Sequence, residues 1–166
     1  MTSPVAHSSS STARLMAGAL GYQVGWQEPV YLPNPAAGAV WSYKVDGRYF
    51  ERVLTITFTL VTSAVVANRF PQVQLADANG TVITAVPAGG TVVAGNNLNV
   101  TLTLEAPGYS GGASGGTFGF MPDLLIPPGW SWRAAVFGID PGDQILGVIL
   151  LVQRFPNDAA SIPAGS

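Results

Sequence analysis

The sequence predicts an all-β domain: an antiparallel β-sandwich with jelly-roll-like crossing connections and an extended N-terminal arm. Three observations predict it. Apolar and polar residues alternate with a period of two through the central chain, the pattern of strands with one face in a core and one outside. The 20 Gly and 13 Pro of the 166 residues cluster where those runs stop, as turn residues do. No long stretch carries the 3.6-residue apolar period of an amphipathic helix.

The elements follow in order. Met1 to Leu20 is a Ser/Thr-rich leader, in which Arg14–Leu20 has room for one or two helical turns, limited by Gly18 and Gly21. Gly21 to Ala39 sets Pro29, Pro33 and Pro35 among Tyr22, Trp26 and Tyr31. Proline removes donors and fixes φ, so this stretch reads as an extended arm with aromatic anchors for a partner. The expected division is a leader and docking arm over 1–39, a sandwich over 40–157 and a small-residue tail over 158–166.

Trp41–Val45 reads as a strand, closed by Asp46-Gly47. A long strand follows from Arg52, with Leu54, Ile56, Phe58 and Leu60 alternating with Thr55, Thr57 and Thr59. Val73 and Leu75 lead through Asp77-Ala78-Asn79-Gly80 to Val82–Val86, a hairpin signature. Leu98, Val100, Leu102 and Leu104 alternate with Asn and Thr, and Trp130, Trp132 and Ala134 with Ser131 and Arg133. Gly108–Gly119 reads as a long Gly/Ser-rich loop, either a contact loop or a tolerated insertion. Asp140-Pro141-Gly142-Asp143 reads as a turn with proline second, its Asp side chains bonding backbone N–H groups. Ile145–Val152 lacks clean alternation and is expected to be covered on both faces. The total is about seven or eight strands. Strand parity assigns Leu54, Ile56, Phe58, Leu60, Val73, Leu75, Leu102, Val148 and Leu150 to the core.

Composition narrows the function. Only 10% of residues are charged and the net charge is -2, against about 25% charged in ordinary domains. One Lys and six Arg make no basic patch for nucleic acid. No Cys is present, and the single His, His7, lies in the leader, so a thiolate nucleophile, a His-based triad or a multi-His metal site is not expected. The Asp77–Gly80 segment resembles the opening of a calcium loop but lacks the later acidic ligands. No phosphate-loop motif occurs, and no cofactor is expected. The first residues lack the apolar stretch of a secretory signal, and no run is long enough for a spanning helix. A chain this apolar and charge-poor is expected to hide surface in an assembly with other subunits.

Trp130 and Trp132 share parity on one strand. They are read either as core or as a platform for stacking on sugar rings. The second choice would make the chain a carbohydrate- or receptor-binding module.

Several segments together resemble small β-rich virion proteins of tailed double-stranded-DNA bacteriophages. They are Trp41–Gly47, Thr62–Arg69, Asp77–Gly80, Leu125–Trp130 and Gly138–Gln144. The resemblance covers most of Val40 to Phe155. It implies a structural, non-enzymatic subunit: head decoration, head fibre, collar or tail accessory. It carries over no catalytic residue. The reading that follows is a virion subunit made in the bacterial host cytoplasm and attached by the arm through Tyr22, Trp26 and Tyr31 to major capsid, neck or tail proteins. Closed self-assembly, with a trimer preferred, is the accompanying expectation.

Overall fold

The computed structural model describes residues 25–104, 109–110 and 116–157, the side chains of 109–110 and 116–118 excepted. The described residues are all β, with no helix, in two sheets. The strands are β1 (Trp26–Tyr31), β2 (Ser42–Lys44), β3 (Tyr49–Val61), β4 (Phe70–Ala76), β5 (Val82–Pro87), β6 (Asn97–Thr103), β7 (Tyr109–Ser110), β8 (Gly116–Phe120), β9 (Ser131–Phe137) and β10 (Gln144–Pro156). One sheet has six strands in the order β1-β10-β3-β6-β8-β7, the other four in the order β2-β9-β4-β5. Every pairing is antiparallel except β6 with β8.

The predicted alternation is what builds the core. Ile56, Phe58 and Leu60 of β3, Val73 and Leu75 of β4, Leu98, Val100 and Leu102 of β6, and Val148, Leu150 and Val152 of β10 are buried between the sheets. The parity expected for Leu54 fails. Leu151 of β10 pairs with Thr55 while Val152 pairs with Val53, so Leu54 is the extra residue of a bulge. Below that bulge the inward residues are Val53 and Glu51, and Leu54 is only half-buried. A one-residue insertion exchanges the two faces of everything beyond it.

A second bulge, on β10 at Gly147–Val148, explains why Ile145–Val152 showed no clean alternation. Ile145 and Val148 both point inward across it, and Leu146, Ile149 and Leu151 lie half-buried on the outer face. Among the described residues the strand is therefore sealed on one face only.

The segment read as a docking arm is partly a strand of the domain itself. Trp26–Tyr31 pairs with β10 as an edge strand. Beyond it Leu32 N–H donates to Val148 O, Gly147 N–H to the Asn34 side chain and Gly38 N–H to Asp143 O. The fold thus starts before residue 40. The sequence could not show this, because an edge strand bonded on one side tolerates Pro29. The Gly108–Gly119 loop is corrected in part: 109–110 and 116–120 are strands extending the six-stranded sheet, and the rest lies outside the described residues. Tyr22, the leader and the 158–166 tail also lie outside them.

Candidate functional site

The aromatic candidates separate. Trp132 points into the core with 1% of its surface exposed, which leaves no ring face for a sugar. Trp130, just before β9, is half-buried against the same core. The two do not form a surface platform. Trp26 packs edge-on to Tyr49 at 5.2 Å between ring centroids and donates through Nε1 to Glu28. Tyr31 is 71% exposed on the outer side of β1.

The four loops at one end of the sandwich (32–41, 62–69, 88–96 and 138–143) are tied together around Arg69 and Asp143. Both side chains are fully buried. The Asp143 carboxylate accepts from Arg69 Nε and Nη2, each at 2.9 Å, from Ser63 N–H at 2.7 Å and from Asp140 N–H at 2.7 Å. Arg69 spends its remaining donors on Val65 O, Ala67 O and Ser63 Oγ. Its hydrogen bonds to Asp143 push the guanidinium further up. Burial alone would push the Asp143 carboxyl up, but the Arg69 guanidinium and the two backbone N–H groups override it and hold it below the usual carboxylate range. Asp140 caps Gly142 N–H and accepts from Ser63 Oγ. The Asp140–Asp143 turn is therefore held by side-chain-to-backbone bonds.

Those loops contain Arg69, Asp140 and Asp143 and no other charged residue. Arg69 and Asp143 are sealed inside, so the half-buried Asp140 carboxylate is the one charge these loops bring toward the surface. Val66 at 93% exposure stands at the tip, with Val65 beside it and the cross-strand pair Phe70–Phe137 at the margin.

The opposite end holds the other ionic cluster. Buried Glu51 of β3 lies 2.7 Å from Arg154 Nε of β10, and the Tyr43 hydroxyl of β2 lies 2.9 and 2.8 Å from its two oxygens. Arg154 also donates to Tyr43 Oη and pairs with Glu28 of β1. Burial, helped by the Glu51 carboxylate and opposed by Arg154, pushes Tyr43 up to about 12. Outside this cluster, Asp46 pairs with Arg48 and Arg52 with Asp123 at the surface. Gly25 and Asn157, where the described chain begins and ends, lie at this end. The Asp77 carboxylate caps Asn79 and Thr81 N–H in the β4–β5 hairpin.

Sequence reasoning missed Glu51, Arg69 and Asp143 as buried charges. One signal was present: Arg69 is the only charged residue between Arg52 and Asp77, a lone charge inside an apolar stretch. Its partner, 74 residues away, has no sequence signature.

No protein-family model matches the chain. No curated protein sequence matches it. Solved structures similar to it include the dimeric latent PorU of Porphyromonas gingivalis, at 11% identity and TM-score 0.43, over 80% of this chain and 13% of that one. They also include infectious bursal disease virus, Gt strain, at 11% identity and TM-score 0.31, over 81% of this chain and 37% of that one. T=1 particles derived from infectious bursal virus match at 8% identity and TM-score 0.33, over 81% and 41%. The chain spans well under half the length of each of these proteins. These likenesses assign neither a family nor an activity.

Proposed function

We propose that this chain is a non-enzymatic structural subunit of a tailed-bacteriophage virion, of the head-decoration, head-fibre or neck and tail accessory kind. The observation that carries the reading is the segregation of charge. The buried ionic groups are engaged in joining loops or strands, and the loop end brings one half-buried carboxylate, Asp140, and no cation toward its surface. Such a surface suits burial between subunits.

The strand pairs support a capsid-type architecture. β4 pairs with β5, β3 with β6, β2 neighbours β9 and β1 neighbours β10, each pair nested inside the next. We read this nesting as jelly-roll winding, with β7 and β8 added at the β6 edge. Attachment is assigned to the segment before Gly25, a residue that lies against Arg154 and Phe155 at the charged end. Trp26 and Tyr31 belong to β1. The virion location and the capsid, neck or tail partners belong to the same proposal.

The test is quantitative mass spectrometry of purified particles, followed by deletion of 1–24. The reading expects a fixed copy number per particle, and a truncated chain that folds but no longer incorporates. Absence from particles overturns the reading. Normal incorporation of the truncated chain overturns the arm as anchor.

A further inference from the structure

We infer that the outer face of the six-stranded sheet is a self-association surface whose occupant is the same face of a second copy of this chain. The inference rests on the structural-subunit reading and names one of its contacts.

The ladder fixes which side chains lie on this face. One row runs Pro29, Leu151, Thr55, Thr103 and Phe120 across five strands. The next runs Tyr31, Ile149, Thr57 and Thr101, and a third runs Leu146, Thr59 and Asn99. None of these residues is charged. Arg52, below the three rows, is paired with Asp123. The outer face of the four-stranded sheet differs, since it carries Lys44 and Arg133.

Charge selects the partner. In a two-fold contact each row meets the same kind of row, so a charge on the face would confront like charge or be buried unpaired. The three rows have none to confront. A basic or acidic partner would find no counter-charge on it.

Geometry agrees. Strand spacing and the two-residue repeat give the face a footprint of roughly 25 Å by roughly 20 Å. Two such faces together give roughly 1,000 Å², about the least that a specific interface buries. Flat rows of β-branched Thr and Ile pack sheet on sheet at about 10 Å. Tyr31 at one margin is 71% exposed and Phe120 at the other 57%. A two-fold axis along the strands, over β3, sets β1 of each copy over β8 of the other.

The experiment uses the full chain in solution. Light scattering across a concentration series should give twice the mass of the 17.2 kDa chain. Ile149→Arg and Thr57→Arg should each give a monomer with an unchanged β-sheet circular dichroism spectrum, and Gln72→Arg on the other sheet should remain dimeric. The chain has no cysteine, so Thr57→Cys with a short bismaleimide provides a second readout that needs no disruptive substitution: a covalent dimer is expected, and none from Gln72→Cys. A wild-type monomer throughout the series overturns the inference. So does an oligomer that survives both arginine variants, or one cross-linked equally through Gln72→Cys. If the purified chain dimerises through this face yet is absent from particles, the inference stands and the virion reading fails. A monomer present in particles fails the inference alone.

Discussion

The two ends of the sandwich are each closed around an arginine, and the two arginines are used differently. Arg69 is sealed with Asp143 and directs its other donors to loop oxygens. Arg154, 17% exposed, joins side chains of strands β1, β2 and β3 to its own β10. The first network organises backbone that has no ladder to hold it. The second fastens strands that are already paired, including the weakly buried edge strand β1. A loop cluster without sheet bonds needs another way to satisfy its carbonyls, and a buried guanidinium with five donors supplies one. The same use takes the only cation of those loops out of solvent. At the charged end the surface pairs Arg48–Asp46 and Arg52–Asp123 stay in solvent, where ion pairs contribute little.

The sharpest way to break this comparison is Asp143→Asn. It leaves Arg69 buried without its counter-charge, and removing one member of a buried pair costs about 3–5 kcal/mol. Urea melts should show that loss, with a smaller one for Glu28→Gln at the more exposed end. The pH dependence has the matching sign. The Asp143 carboxyl lies below its ordinary value in the fold, so its contribution is complete above the unfolded value of about 3.9 and disappears as pH falls through the folded one. Acid titration of wild type should show this limb, and Asp143→Asn should lack it.

A backbone test comes next. Gly138 and Gly80 both have left-handed φ, +74° and +87°. A Cβ at Gly138 would sit 2.4 Å from Asn68 O in the loop cluster, whereas nothing lies within 4 Å at Gly80. Gly80→Ala should cost about 1 kcal/mol from φ alone, and Gly138→Ala clearly more. Equal losses in thermal melts would show that the loop end yields as easily as the hairpin.

Tyr43→Phe probes the charged end. Its hydroxyl hydrogen bond should contribute about 1 kcal/mol near neutral pH. Because Tyr43 is pushed up to about 12, the stability it confers is present below the unfolded value of about 10 and is lost as pH rises from there through the folded value. Alkaline melts should lose this limb in the variant. The smallest effect belongs to Val66→Ser. At 93% exposure it should alter stability by less than about 0.5 kcal/mol. A large loss would mean that the loop tip is part of the core.

The sequence by itself determined the sandwich class, the hairpin at Asp77–Gly80, the turn at Asp140–Asp143 and most inward positions. Period two and turn chemistry are local properties of a chain, and they persist wherever the strand goes. It did not determine that Leu54 bulges, because a bulge is defined by the partner strand. Nor did it determine that Trp26–Tyr31 rejoins its own sheet, since an extended Pro-containing segment has the same local signature whether its partner is β10 or another chain. Trp130 and Trp132 shared a parity in sequence, yet only Trp132 begins its burial inside β9. The Arg69–Asp143 pair was decided by tertiary structure alone. Its members are 74 residues apart, and a buried ion pair exists only where the fold brings opposite charges together and removes the water between them.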